Sequence, residues 1–283
     1  MPVRGRVAGV EAGRGHRGGS GEPLVLIHGF TSTWPIWEPI LGRLEASYDV
    51  LAVALTGHVG GRPVPEGRSV SMDLLIDGVE EDMDEAGFQT AHLVGNSLGG
   101  WIALELARRG RGRSVVALSP AGGWGADTRE EARARQLFIR GHAISKRLVP
   151  YADRLMARPR LRRALLSQMM VHGERLSPAR AAQSMRDAFA TPIYFDLMDA
   201  ILRDGPPQTL DGISCPVLLA WGTKDRVLPL GRYSQRLREL VPAAEWVDLH
   251  GLGHVPMADD PELVARTITE FVARAPQPAS APA

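Results

Sequence analysis

Ala91 to Val94 is a short apolar run of strand type, and three residues further on the chain enters Leu98-Gly99-Gly100-Trp101-Ile102-Ala103-Leu104-Glu105-Leu106-Ala107, which reads as a helix. Ser97 stands at the junction, bracketed by Gly95 and Gly99. A buried strand that passes into a helix with so short a connection must turn sharply, and G-x-S-x-G in that setting is the pattern of a nucleophile elbow. Small neighbours let the two arms of the turn pass closely, at the price of a strained serine backbone. That strain has a use. It pushes the hydroxyl out at the C-terminal edge of a sheet, beside the first free N–H groups of a helix. Flexible loop turns share the bare pattern, so the rest of the chain has to decide.

Further strand-type runs are Leu24–Ile27, Val50–Leu55, Ser114–Leu118, Pro216–Trp221 and Trp246–Leu249. Helical spacing falls between them, over Trp37–Leu44, Ser71–Gly87, Leu230–Leu240 and Pro261–Ala273. In the second of these Ser71 is the predicted N-cap, with Leu75, Val79 and Met83 on the buried stripe. Its acidic residues (Asp73, Asp77, Glu80, Glu81, Asp82, Asp84 and Glu85) read as a solvated face rather than a metal site. Strands alternating with helices imply an α/β fold, with a mainly parallel sheet of roughly eight strands and helices on both faces.

Two stretches interrupt the rhythm. Near the start, Val3–Glu11 reads as a small hairpin and Gly13–Gly21 as a flexible turn; no strand feeds that loop, no helix leaves it, and no Gly-Lys-Ser/Thr closes it as in a phosphate loop. From Trp124 to Leu210 there is no strand-type run, only helical patterns such as Ala132–Val149, Arg160–Val171 and Pro178–Ala190. Residues 127–204 carry a net charge of +6, against about −5 for the remainder. The expected organisation is therefore a discontinuous core, 1–123 and 211–273, a helical insertion over 124–210, and a disordered Pro/Ala/Ser-rich tail over 274–283.

Composition excludes more than it suggests. A net charge of +1 gives no reason to invoke nucleic acid, and no apolar stretch approaches the roughly 20 residues of a membrane span. The single cysteine, Cys215, allows no intrachain disulfide and no thiolate metal cluster, and it reads as a structural thiol. Met1–Gly21 lacks the apolar core of a signal peptide, so the cytoplasm is the expected location. No metal or organic cofactor is implied. The sequence leaves open whether the chain is a monomer or a homodimer.

Two motifs lie where the returning strands end. Trp221-Gly222-Thr223-Lys224-Asp225 places an aspartate just beyond a strand, and Gly251-Leu252-Gly253-His254 places a histidine in a glycine-bracketed loop before the last helix. Loops at the C-terminal ends of parallel strands converge, and the order Ser97, Asp225, His254 is that of a catalytic triad. His250 lacks the Gly-x-Gly lead-in, and Asp127 is a fallback acid. His58 lies in a glycine-rich loop read as structural, and His28 is expected to be a structural hydrogen-bonding histidine.

Together, His28-Gly29, Gly95-Asn96-Ser97-Leu98-Gly99-Gly100, Trp221-Gly222…Asp225 and Gly253-His254 resemble a capped α/β-hydrolase with a serine nucleophile, over residues 22 to 273. Ala54 and Thr56 depart from that family's usual aspartate and proline before the glycine-rich loop. The resemblance implies that 124–210 is a helical cap and that the oxyanion hole is the backbone N–H groups of Phe30 and Leu98. It implies hydrolysis of a small apolar carboxylic ester or thioester through an acyl-enzyme on Ser97, with Trp34, Trp124, Met169 and Met170 nominated for the acyl pocket. The Gly-Asn-Ser-Leu-Gly-Gly elbow also resembles carbon–carbon bond hydrolases of ring-cleavage products, but Phe30-Thr31-Ser32-Thr33 lacks their glycine-rich oxyanion loop. An acyltransferase or a ligand-binding homologue stays open as well. Tyr151 and Tyr194 resemble the cap tyrosines of epoxide hydrolases, against which the serine nucleophile argues.

Overall fold

The computed structural model describes residues 15–125 and 128–275. The hairpin expected at Val3–Glu11, the fallback acid Asp127 and the tail from 276 lie outside them.

The chain runs β1 (Gly15–Gly19), β2 (Glu22–Ile27), α1 (Glu38–Leu44), β3 (Tyr48–Val53), α2 (Met72–Glu85), β4 (Ala91–Asn96), α3 (Leu98–Arg108) and β5 (Gly112–Leu118). Five helices follow without an intervening strand among the described residues: α4 (Thr128–Leu148), α5 (Ala152–Met156), α6 (Pro159–Leu166), α7 (Pro178–Ala190) and α8 (Tyr194–Asp204). Then come β6 (Val217–Gly222), α9 (Leu230–Leu240), β7 (Glu245–Leu249), α10 (Pro256–Asp259) and α11 (Pro261–Val272). Among the described residues the strands form one seven-stranded sheet, ordered β1-β3-β2-β4-β5-β6-β7, parallel except where β1 pairs with β3.

That edge strand corrects the sequence reading of Gly13–Gly21 as a flexible turn. Backbone pairing holds it, from Gly15 opposite Val53 to Gly19 opposite Asp49. Arg17 grips Asp49 with two hydrogen bonds of 3.0 and 2.7 Å, and His16 pairs with Glu45 at 2.5 Å. A ladder needs no side-chain pattern, so glycines hide such a strand from a hydrophobicity reading.

Alternation along the central strands sends side chains to both faces, and both are covered. Val25, Ile27 and Leu93 face a core shared with Leu75, Val79 and Met83 of α2 and Ile102 of α3. Leu24, Leu26 and Val94 face the opposite layer, with Ile40 and Leu44 of α1 and Ile268 and Phe271 of α11. Ser71 caps α2 as predicted, accepting a hydrogen bond from the Leu74 N–H at 3.1 Å. The acidic face of α2 is more than solvated: Arg109 alone binds Asp73, Asp77 and Glu80.

The helical segment has a small core of its own, where Ala152 and Met156 of α5 meet Ala181 and Ala182 of α7. Among the described residues no helix is long and apolar enough to cross a membrane.

Candidate active site

Among the described residues, three that are not glycine have a left-handed φ, and all follow the C-terminal ends of strands: Thr31 (63°) beyond β2, Ser97 (57°) after β4 and Ser119 (45°) after β5. Such conformations cost of order 1–3 kcal/mol each and persist only where the surroundings impose them. At Ser97 the cause is visible. A Cβ on Gly95 would stand 2.0 Å from the Gly99 carbonyl oxygen, and one on Gly99 would stand 2.1 Å from that of Ile27. Only glycines let β4, the head of α3 and the end of β2 approach so closely. Leu98 opens α3, so its N–H is among those at the helix head that lack an intrahelical acceptor.

Gly29 brings the loop after β2 against the elbow, a Cβ there falling 3.1 Å from the Ser97 Cβ. Beneath it, His28 Nε2 accepts from the Leu55 N–H at 3.1 Å, so the ring proton sits on Nδ1 and is donated to the Gly29 carbonyl at 2.9 Å. Burial and the neighbouring His58 push the His28 pKa down to about 3. The ring is thus a neutral brace that fixes Gly29 and the Phe30 backbone after it. His58, pushed down to about 4 by burial, packs edge-on against His28, with ring centroids 5.1 Å apart.

Asp225 and His254 are both buried, and His254 Nδ1 lies 2.7 Å from Asp225 Oδ2. The Val227 and Leu228 N–H groups, each at 2.8 Å, occupy Asp225 Oδ1 and so aim the other oxygen at the imidazole. A carboxylate oxygen accepts only, so Nδ1 is the donor of this pair, and in the neutral ring Nε2 is then the nitrogen that can take a proton. Asn96, the residue before Ser97, donates to the His254 carbonyl at 2.9 Å and to that of Leu118 at 3.0 Å. The strand carrying the serine is thereby tied to the loop carrying the histidine.

A cavity of about 290 Å³ opens at Ser97, bounded by Phe30 and Leu98 on the core side and by Phe138 of α4 and Met198 and Ile201 of α8 on the other. Of the four nominated pocket residues only Trp124 lines it. Trp34 instead stacks on His16 and packs into the lower core. Met169 and Met170 pack there too, and the Met169 carbonyl accepts from the Val255 N–H at 2.9 Å. Those methionines brace the histidine loop. Their apolarity suits either place, and only the contacts decide. Cys215 is half-buried, its thiol pushed up to about 11 by burial, away from reactivity.

Sequence reasoning passed over two buried carboxylates that fasten the helical segment to these loops. Asp259, fully buried, accepts from the N–H groups of Gly253 (2.8 Å), Val171 (3.0 Å) and His172 (2.6 Å). Asp187 of α7 accepts from the Thr33 hydroxyl at 3.2 Å, at the end of the loop that carries Phe30. Asp259, at the end of α10, has no pattern around it that marks it, and two of its partners, Val171 and His172, lie 88 and 87 residues away.

The fold is a largely parallel sheet with helices on both faces, carrying a strained serine after the central strand β4 and a buried His–Asp pair on the returning loops. Residues 24–267 match the alpha/beta hydrolase family, and the chain belongs to it. It is 34% identical over 204 residues to the epoxide hydrolase EphH of Mycobacterium tuberculosis, covering 72% of this chain and 95% of that one. A bacterial membrane phospholipase A, described as a virulence factor, superposes with a TM-score of 0.72 at 25% identity, over 91% of this chain and 81% of that one. A thermophilic esterase from Thermogutta terrifontis superposes with a TM-score of 0.70 at 20% identity, over 92% and 93%.

Proposed function

We propose that this hydrolase cleaves a carboxylic ester through an acyl-enzyme on Ser97, with His254 as general base and Asp225 as its orienting partner. The observation that carries the reading is the buried 2.7 Å contact between His254 Nδ1 and Asp225, which leaves Nε2 as the basic nitrogen. A serine hydroxyl is a weak nucleophile until such a base takes its proton. In the first step Ser97 Oγ bonds to the ester carbonyl carbon as its proton passes to His254 Nε2, and the oxyanion meets the N–H groups of Phe30 and Leu98. The tetrahedral adduct collapses, the ester C–O bond breaks, and His254 returns the proton to the departing alkoxide. Water, deprotonated by the same nitrogen, then releases the acid. Each oxyanion donor is worth on the order of 3 kcal/mol of barrier. Segment 124–210 acts as the cap, closing the cavity from above and setting which acyl group enters.

Similarity to an epoxide hydrolase favours a second reading, ring opening of an epoxide. Chemistry at the elbow weighs against it. A carboxylate that attacks an epoxide forms an ester that water can cleave, whereas a serine would form an ether and stop. The two cap tyrosines do not help: Tyr151 is exposed, and the Tyr194 hydroxyl donates to the Phe138 carbonyl at 2.9 Å. Side-by-side assays on 4-nitrophenyl butyrate and styrene oxide, with Ser97→Ala as the blank, separate the two. Ester turnover lost in Ser97→Ala, with no diol formed, is the expected result; diol without ester turnover would overturn it.

A further inference from the structure

We propose that the outer face of helices α4 to α6 docks on an anionic lipid surface, holding this side of the molecule against the bilayer. The proposal concerns a surface and stands apart from the chemistry assigned to Ser97.

Among the described residues the large hydrophobic side chains left exposed are Ile144, Tyr151, Leu161, Leu165 and Phe195. All fall in the helical segment, and all but Phe195 lie between 144 and 165. Single exposed apolar residues are ordinary on any protein surface, whereas a group of them marks a contact site. The same stretch holds free positive charge. Arg140, Lys146, Arg147, Arg154, Arg158 and Arg160 are exposed, and among the described residues none of their side chains has a hydrogen bond, ion pair or ring contact. Elsewhere among the described residues the same holds only of Lys224 and Arg266. The core, by contrast, uses its arginines internally: Arg17 binds Asp49, Arg62 binds Asp82 and Arg109 binds Asp77. The one acidic residue between 140 and 160, Asp153, is paired with Arg186 of α7.

Helical spacing sets these residues on one side. Arg140, Ile144 and Arg147 stand at i, i+4 and i+7 of α4, which makes them a single stripe, and Tyr151 follows one turn later. The opposite stripe of α4 faces inward: Phe138 lines the cavity at Ser97, and His142 stacks on Phe189 of α7, ring centroids 5.1 Å apart. In α6, Leu161 and Leu165 repeat the i, i+4 spacing, with Arg160 beside them. Helices α4, α5 and α6 each pack on α7, so their outward sides point away from the same inner helix.

Charge and apolarity together select the occupant. Aliphatic side chains gain nothing against a nucleic-acid backbone, and a second copy of this chain would bring the same positive face. An anionic bilayer meets both needs, offering phosphate-bearing headgroups to the cations and an acyl boundary to Ile144, Tyr151, Leu161 and Leu165. Docked this way, the bilayer lies on the outer side of the helix whose inner side lines the Ser97 cavity.

The test is flotation of the full chain with vesicles of phosphatidylcholine alone and of phosphatidylcholine and phosphatidylglycerol in equal parts. We expect the protein to float with the mixed vesicles at low salt and to bind phosphatidylcholine at least about tenfold more weakly. Binding to the mixed vesicles should fall steeply as salt rises from about 0.01 M to about 1 M. Arg140→Gln with Arg147→Gln should weaken it about twentyfold in combination, at about fivefold for each charge. Ile144→Ser with Tyr151→Ser should weaken it about tenfold. Both pairs are exposed and outside the site, so turnover of water-soluble 4-nitrophenyl butyrate should be unchanged in each, which shows that they fold. Ser97→Ala should float as the wild type does, so failure of the ester reading leaves this proposal standing. A wild type that stays unbound to the mixed vesicles at low salt overturns it. Binding that Ile144→Ser with Tyr151→Ser leaves unchanged also overturns it, since charge attraction alone would then suffice and duplex DNA would serve equally well.

Discussion

The Asn96 side-chain amide donates a 2.9 Å hydrogen bond to the His254 carbonyl oxygen across 158 residues of chain. Its other donor goes to the Leu118 carbonyl, so one amide holds the end of β4, the end of β5 and the histidine loop together. Asn96→Ala would strand the buried His254 carbonyl and free the loop, while the Leu118 carbonyl keeps the Ser97 N–H at 3.0 Å. We expect a loss of about 2 kcal/mol of stability by urea unfolding. A fall in kcat of about tenfold to a hundredfold should accompany it, since misplacing a catalytic group is costly. A stable variant with wild-type kcat would show that the tie is dispensable.

Asp259 gives a second, separable expectation. An asparagine in its place would offer one accepting oxygen where a carboxylate now serves three N–H groups, and its own NH2 would face donors. Asp259→Asn should lower stability by about 2–3 kcal/mol. Amide exchange should quicken at 169–172 and 253–255 before the rest of the chain. Uniform quickening would mean that the carboxylate is only a general stabiliser.

The buried histidines fix how stability depends on acid. His28 and His58 are held near 3 and 4, below the ordinary value of about 6.5 that they regain on unfolding. Below pH 6.5 the unfolded chain binds more protons than the folded one, so stability is fully present above that pH and drains away as pH falls towards 3. By pH 5 the loss should be of order 2 kcal/mol for each ring. Urea midpoints at pH 7.5 and 5, with and without His58→Gln, measure it; an equal slope in the variant would refute the assignment for His58.

Glycine-to-alanine substitutions should split sharply by position. At Gly95 the new Cβ would meet the Gly99 carbonyl oxygen at 2.0 Å, so the elbow must open, and a loss of more than about 3 kcal/mol with inactivity is expected. At Gly42, inside α1, nothing lies within 4 Å, and alanine should add about 0.5–1 kcal/mol. Thermal unfolding of the two variants decides.

Sequence alone reaches far into this molecule, for identifiable reasons. Continuous apolar runs give the central strands to within a residue or two, because a strand buried on both faces leaves no other choice. Pro178–Ala190 and Leu230–Leu240 are set by proline at the start or before the start of an amphipathic stretch. Strand β1 escapes because its glycines have no side-chain pattern, and α5 and α8 escape because their apolar residues serve a local core and a cavity wall. The serine, aspartate and histidine motifs are legible because each has a glycine or a strand end beside it. The cavity is not: Phe138, Met198 and Arg232 become neighbours of Ser97 only through the fold. The fastening by Asp187 and Asp259 runs through hydroxyl and backbone partners, which leave no pattern in the chain.

The central claim is that Ser97 forms a covalent acyl-type intermediate. Intact-mass spectrometry of the wild type and Ser97→Ala after exposure to a fluorophosphonate tests it most directly. The wild type should gain a single phosphonyl adduct that maps to Ser97, and the variant should gain none. An unlabelled wild type, or equal labelling of Ser97→Ala, would contradict the account.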